Sequence, residues 1–243
     1  MKIIDKIINK QNLRKSAEAV TIVCLGDSVT EGCFECYINE QGRVATVYER
    51  HNSYSVRLQQ MLSALYPTVP FNIINSGFSG GWAHDGVDTL ERDVLRFKPD
   101  LVIVSYGLND SSKCADGLDA YAKSLSTIFE KVKQSGAEII FLTENYMCTK
   151  VSPHLDSQAL KDLAEDMAKR QNAGELERYF EKAKELCRQF EVEVCDLYSV
   201  WQAMEKSGVN VTELLSNKLN HPIREYHYYI AVKLLEKIMD INL

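Results

Sequence analysis

Four short polar segments of the chain carry side chains and glycines of the kinds that acyl transfer requires. In chain order they contribute a serine, a group of glycines, an asparagine and a histidine, namely Ser28, Gly77, Gly80, Gly81, Asn109 and His221. Acyl transfer needs a nucleophile, hydrogen-bond donors aimed at the oxyanion that develops on the attacked carbonyl, and a general base. The serine hydroxyl, the loop N–H groups and the asparagine amide provide the first two, and histidine takes and returns a proton near neutral pH. The set therefore predicts acyl-transfer chemistry at the serine, provided that the fold brings the segments together.

Five apolar runs of strand length would position these segments. They cover residues 21–25, 71–74, 101–105, 138–142 and 192–195. Because the runs are apolar on both faces and alternate with helical patterns, they predict an α/β fold with a parallel sheet covered by helices on both sides. The serine, glycine and asparagine segments follow the first three runs, so they are expected to meet at the edge where the strands end. His221 lies just before the last helical pattern, where the chain can return to that edge.

The chain is predicted to form one domain over residues 1–243, with residues 1–20 as an N-terminal helical extension, because no repeat, low-complexity tract or glycine-serine linker interrupts it. Two segments, 33–52 and 143–172, are longer than the scaffold needs and leave the sheet at the strand-end edge. They are candidate substrate-binding elements, and their alternative is plain surface insertion. Trp82 is a candidate for either the wall of a pocket or the core.

The segments resemble a known family. Gly26-Asp27-Ser28, Gly80, Gly107-x-Asn109-Asp110 and His221-Pro222 look like the four signature blocks of the SGNH hydrolases, also called the GDSL lipase/esterase family, and they occur in the family's order. The resemblance spans residues 21–231 and implies a three-layer α/β/α, flavodoxin-like fold with a five-stranded parallel sheet. It also implies that Ser28 is the nucleophile and one oxyanion N–H, Gly80 the second N–H, Asn109 the amide donor and His221 the base. Asp27 and Asp110 are expected to stabilise their loops.

The chain departs from the family pattern before the histidine. The family's acid lies three or four residues before it, and those positions here are Lys218 and Asn217, neither of which is a carboxylate. Three interpretations follow: a working Ser–His dyad, an acid supplied from elsewhere, or a weakened enzyme. We favour the dyad, with the Nδ1–H of His221 accepted either by the amide oxygen of Asn217 or by a backbone carbonyl.

The charge and the apolar content of the chain argue against nucleic acid and membranes as binding partners. A net charge of −6 without a basic block gives no footprint for nucleic acid or an anionic membrane, and no apolar run has the length of a membrane span, so no membrane insertion is expected. The seven cysteines are scattered, and the pair Cys33 and Cys36 lacks the partners of a zinc site, so the pair is either two ordinary thiols or a redox pair. The charged N-terminus does not resemble a secretory signal, and a reduced, cytoplasmic location is expected.

The sequence thus predicts hydrolysis of a carboxylic ester through an acyl-enzyme, with no metal or cofactor implied and a small-molecule ester as partner. A short acyl group, such as acetyl on a carbohydrate or small molecule, is favoured because no long apolar lid is present. The alternatives within the family are a lysophospholipase, a thioesterase or an acyltransferase. The alternative of another class is a catalytically weak binding module that kept the fold.

Overall fold

The computed structural model describes residues 1–241. The strands in this range are β1 (Val20–Gly26), β2 (Cys33–Ile38), β3 (Val44–Tyr48), β4 (Phe71–Gly77), β5 (Leu101–Ser105), β6 (Glu138–Thr143) and β7 (Glu193–Asp196). The α-helices are α1 (Lys2–Asn12), α2 (Ser28–Glu31), α3 (Tyr54–Leu65), α4 (Ala83–Asp93), α5 (Leu118–Gln134), α6 (Gln158–Asn172), α7 (Glu175–Phe190), α8 (Leu197–Lys206) and α9 (Arg224–Ile238). Within residues 1–241, no helix combines the length and the apolar character that crossing a membrane demands.

The main sheet has five parallel strands in the order β4-β1-β5-β6-β7. This is the flavodoxin-like order, in which the first strand of the sheet lies between the second and the third. Helix α3 packs against α9, and α4, α5 and α7 pack side by side as a second group. The predicted three-layer α/β/α fold with a five-stranded parallel sheet is therefore confirmed.

The interior strands form because their residues are apolar on both faces. Every residue of β5 is buried, and so are residues 22–26 of β1, so both strands exchange hydration for contact with helices on each side. Their register aligns the strand ends: Gly26 lies opposite Gly77 on one side and Ser105 on the other. The segments that follow β1, β4 and β5 consequently begin at the same edge of the sheet.

The segment 33–52, which the sequence presented as a polar insertion, forms an antiparallel hairpin of β2 and β3 followed by a short 3-10 helix. Its pairing shifts register between Cys33 and Cys36. The hairpin begins directly after Gly32, which ends α2 in the left-handed conformation at φ 94°. Glycine adopts this conformation without the steric cost that a Cβ brings. The turn sends the chain from the serine segment straight into the hairpin.

Arg224, the first residue of α9, fastens the hairpin to the last helix. Its guanidinium binds both carboxylate oxygens of Glu35, at 2.7 and 2.9 Å, and both of Glu49, at 2.8 and 2.5 Å. The same guanidinium lies 4.5 Å from the centre of the buried Phe34 ring. These two-pronged, charge-assisted bonds fix geometry better than single ion pairs do. They hold the backbone of β2 against the segment that carries His221.

Candidate active site

Ser28 and His221 lie in hydrogen-bond contact although 193 residues separate them. Ser28 is the first residue of α2, directly after β1, and Asp27 caps that helix by accepting the N–H of Val29 at 2.9 Å. The Nε2 atom of His221 lies 3.0 Å from the Oγ of Ser28. The predicted nucleophile and the predicted base are therefore brought together by the fold.

The backbone carbonyl of Phe34 orients the imidazole of His221. The Nδ1 atom lies 2.8 Å from this oxygen. Because a carbonyl oxygen only accepts hydrogen bonds, Nδ1 must carry the proton, which leaves the lone pair of neutral Nε2 facing the Ser28 hydroxyl. This is the tautomer that accepts a proton from serine.

Burial favours the neutral imidazole. His221 is 4% exposed, and burial lowers its pKa from 6.5 to about 4, while the Phe34 carbonyl and the charge of Glu35 act in the opposite direction. The ring is consequently unprotonated at neutral pH. It can accept the serine proton without first losing one of its own.

Asn217 holds the loop before His221 and makes no hydrogen bond to the imidazole. Its Oδ1 accepts the backbone N–H groups of Leu219, Asn220 and His221, each at 2.9 Å. Its Nδ2 donates to the Oδ1 of Asn220 at 2.9 Å. The sequence left two possible acceptors for Nδ1, and in the structure it is the backbone carbonyl that accepts its hydrogen bond. The amide oxygen of Asn217 instead accepts the three backbone N–H groups of the turn. The Asn217 side chain therefore positions His221 through the backbone N–H of the histidine and not through its imidazole ring.

Two backbone N–H groups near Ser28 are free to receive an oxyanion. Within residues 1–241, neither the Ser28 N–H nor the Gly80 N–H meets a hydrogen-bond acceptor. Gly80 is exposed, has φ 78°, and has open space where a Cβ would stand. This arrangement matches an oxyanion hole built from the nucleophile and a neighbouring loop.

Asn109, the predicted side-chain donor, reaches the same region but is engaged by two acceptors. Its Nδ2 donates to the carbonyl of Gly81 at 2.9 Å and to the Oδ2 of Asp27 at 3.1 Å. The amide therefore ties the loop after β4 to the loop after β1. To bind an oxyanion, Nδ2 must share or exchange one of these bonds, since an amide nitrogen has two hydrogens.

Glu144, a buried carboxyl group close to Asp27, was not singled out from the sequence. Glu144, directly after β6, accepts the N–H of Leu108 at 3.0 Å and is 2% exposed. Burial raises its pKa well above the ordinary value, and the charge of Asp27 adds to the rise. Burial also raises the pKa of Asp27 to about 6. Burial therefore favours the protonated form of Glu144. The sequence signal for it was the polar run Thr143-Glu144-Asn145, which directly follows the apolar run 138–142.

Asp110 supports the loop as expected. Its Oδ1 accepts the N–H of Ala83, the first residue of α4, at 3.1 Å. Burial raises its pKa to about 7. The side chain thus joins the asparagine loop after β5 to the start of the helix that follows the glycine loop.

Two cavities flank the glycine loop. One of about 490 Å³ has Phe78, Gly81 and Tyr106 among its lining residues, and Phe78 is 66% exposed. The other, of about 270 Å³, is lined in part by the half-buried Trp82 and by Asp110. Trp82 therefore borders a cavity. In segment 143–172, residues 143–148 are buried, so its first part belongs to the interior. Within residues 1–241, no three His, Cys, Asp or Glu side chains are grouped as a metal site.

The parallel α/β/α fold places the Ser28–His221 pair at the edge where β1 ends. The model of the GDSL-like Lipase/Acylhydrolase family matches residues 24–227. The chain belongs to this family, and the resemblance read from its four blocks is confirmed.

Among curated proteins, an acetylxylan esterase from Geobacillus stearothermophilus is 28% identical over 135 residues, which is 52% of this chain and 60% of that protein. The match thus covers less than two thirds of the relative.

Solved structures share the fold. The acetylxylan esterase Axe2 from Geobacillus stearothermophilus has a TM-score of 0.66 and 20% identity over 90% of this chain and 94% of its own. The α/β hydrolase LAE5 from the metagenome of Lake Arreo, Spain, has a TM-score of 0.66 and 20% identity, over 93% and 99%. CEX, a two-domain esterase active on acetylated mannans, has a TM-score of 0.64 and 16% identity, over 98% and 53%.

Proposed function

We propose that the protein removes short acyl groups, in particular acetyl groups, from a carbohydrate or small-molecule ester through an acyl-enzyme on Ser28. The Nε2 atom of His221 takes the Ser28 proton while Oγ attacks the acyl carbonyl, and the N–H groups of Ser28 and Gly80 receive the oxyanion. His221 returns the proton to the departing alcohol oxygen. Water then gives a proton to His221, attacks the acyl carbonyl and releases the carboxylic acid, and Ser28 regains its proton.

The observation that carries the proposal is the line of contacts from the Phe34 carbonyl through both ring nitrogens of His221 to Ser28 Oγ. It supplies an oriented neutral base without a carboxylate. A carbonyl dipole stabilises the imidazolium of the transition state less than a full charge does, and Glu35 is the nearby carboxylate whose charge adds to it. A working dyad therefore accounts for the site better than a degenerate one.

The proposed acyl group rests on the relatives. The curated relative is an acetylxylan esterase, and CEX is active on acetylated mannans. Two Axe2 structures, one with a serine-to-alanine change and one with a histidine-to-alanine change, are described as catalytic mutants. These relatives support a serine and a histidine as the working pair and acetylated sugars as the substrate class.

A chain-length series tests the substrate. We would measure kcat/KM on p-nitrophenyl acetate, butyrate and octanoate, and acetate release from acetylated xylo-oligosaccharide, with Ser28→Ala as the control. The proposal predicts the highest kcat/KM for acetate and release of acetate from the oligosaccharide, both abolished in the control. A preference for octanoate, or no release of acetate from the acetylated sugar, would overturn the proposed substrate class.

A further inference from the structure

Glu31 joins the glycine loop to the short helix that carries the nucleophile. It is the last residue of α2, three positions after Ser28, and its side chain is 11% exposed. One carboxylate oxygen, Oε2, accepts the backbone N–H of Ser79 at 2.6 Å, and the other, Oε1, accepts Nη2 of Arg50 at 2.5 Å. One oxygen of a nearly buried carboxylate thus accepts a hydrogen bond from the backbone N–H of the residue before Gly80.

The backbone N–H groups of the loop show why this bond matters. The Phe78 N–H donates to the carbonyl of Gly26 at 3.0 Å, and the Gly81 N–H donates to the carbonyl of Phe78 at 2.9 Å. With the Ser79 N–H on Glu31, three of the four consecutive N–H groups from 78 to 81 have partners inside the protein. Among residues 1–241, only the Gly80 N–H of these four has none. Within residues 1–241, Glu31 is the side chain that accepts an N–H of this stretch, while the Asn109 amide binds its carbonyl at Gly81.

The backbone of Glu31 is itself tightly held. A Cβ on Gly77 would lie 2.3 Å from the Glu31 nitrogen, so the end of β4 packs directly against α2. Asn75 adds a bond from Nδ2 to the carbonyl of Thr30 at 2.7 Å. Since Ser28 and Glu31 belong to the same helical turn, the nucleophile and the loop donor are positioned by one rigid unit.

We propose that Glu31 is a positioning residue for acyl transfer, which holds the Gly80 N–H toward the oxyanion through its bond to Ser79. The inference rests on the proposed function, because it needs an oxyanion at Ser28. The guanidinium of Arg50 offsets the negative charge of Glu31, which would otherwise repel the oxyanion that develops on the acyl carbonyl. Oxyanion donors act in the transition state, so the effect belongs in kcat rather than in KM.

Three substitutions at Glu31 separate geometry from charge. Glu31→Ala removes the acceptor, and we expect kcat on p-nitrophenyl acetate to fall about 10- to 100-fold with KM within about twofold, somewhat less than the loss typical of a deleted oxyanion donor. Glu31→Gln keeps an acceptor oxygen and should restore kcat to within about threefold of wild type. Glu31→Asp keeps the charge, but its side chain is one methylene shorter and no longer reaches the Ser79 N–H, so its kcat should fall as well.

The matched control is Glu138→Ala. Glu138 also accepts backbone N–H groups, from Lys2 at 2.9 Å and Ile3 at 2.7 Å, but at the N-terminus of α1. This variant should lose thermal stability and keep the wild-type kcat. A second readout is affinity for methylboronic acid, which forms a tetrahedral adduct with an active serine. Glu31→Ala should weaken this affinity in proportion to its loss of kcat.

The outcomes distinguish this inference from the proposed function. A folded wild type that hydrolyses none of the esters contradicts the proposed function itself. A wild type that is active, with Glu31→Ala equal to it in kcat and in boronic acid affinity, overturns the inference alone. If Glu31→Ala does not fold, Glu31→Asp decides: a kcat equal to wild type in the folded Glu31→Asp protein overturns the positioning role.

Discussion

Replacing Asn217 by alanine tests how the histidine is held. The Oδ1 of Asn217 accepts three backbone N–H groups, from residues 219 to 221, in a buried turn. At about 1 kcal/mol net for each hydrogen bond, Asn217→Ala should lower the free energy of unfolding by about 3 kcal/mol. For a protein of this size the melting temperature should fall by about 6 to 12 °C.

Catalysis should suffer much less than stability in the same variant. The bond from Nδ1 of His221 to the Phe34 carbonyl does not involve the Asn217 side chain. We therefore expect kcat of Asn217→Ala to fall by less than about tenfold, whereas His221→Ala removes the general base and should cost about 10²- to 10⁴-fold. Asn217→Asp keeps the accepting oxygen and should recover most of the stability.

Urea denaturation followed by circular dichroism gives the stability, and steady-state hydrolysis of p-nitrophenyl acetate gives kcat. Asn39→Ala serves as a control, because Asn39 also accepts two backbone N–H groups, but in an exposed turn of the β2–β3 hairpin rather than in the turn before His221. A kcat loss in Asn217→Ala as large as that of His221→Ala would show that the Asn217 side chain, and not the Phe34 carbonyl, orients the imidazole. An unchanged free energy of unfolding would contradict the predicted loss of stability.

Three further predictions follow from the burial and geometry of the site. The acid limb of the pH profile of kcat/KM should have its midpoint near 4, because burial lowers the His221 pKa from 6.5 to about 4; a midpoint near 6.5, with the fold intact by circular dichroism, would contradict this. Asp110 is protonated in the folded state up to about pH 7 but only to about 3.8 when unfolded, so it makes stability fall as pH rises between these values. Asp110→Asn should remove that slope, by at most about 1.4 kcal/mol per pH unit, from denaturation curves recorded across this range, and an identical slope in the variant would count against the assigned burial. Gly77→Ala should fail to fold, because its Cβ would lie 2.3 Å from the Glu31 nitrogen. Gly80→Ala has open space for a Cβ, and its free energy of unfolding should fall by only about 1–2 kcal/mol because of the positive φ. Equal yields and melting temperatures for the two variants would contradict this packing.

The sheet could be predicted because each of its strands appears in the sequence as a short apolar run. The five apolar runs correspond to β1, β4, β5, β6 and β7, and the interior strands β1 and β5 are the most apolar because helices cover both of their faces. The hairpin of β2 and β3 escaped prediction. Its residues are mixed and partly exposed, and Arg224, which fastens it, lies about 180 residues away in the sequence. A pairing that depends on such a distant contact leaves no local pattern.

The side chains of the candidate site could be proposed from the sequence, but a backbone group could not. Ser28, Gly80, Asn109 and His221 lie where their motifs suggested, but the group that orients the histidine is a backbone carbonyl. A backbone acceptor has no sequence signature, so the sequence left it open between Asn217 and an unspecified carbonyl. Glu31 was equally hidden, because a glutamate beside a motif gives no sign that its partner is a backbone N–H 48 residues away.

Covalent labelling by a fluorophosphonate tests most directly whether Ser28 is an activated nucleophile. The folded protein would be treated with the probe at neutral pH, and the modified peptide identified by mass spectrometry, beside Ser28→Ala and His221→Ala. We predict one adduct on Ser28, which is absent from Ser28→Ala and forms much more slowly in His221→Ala. No labelling of the folded wild type, or labelling that persists in Ser28→Ala, would show that Ser28 is not the activated nucleophile.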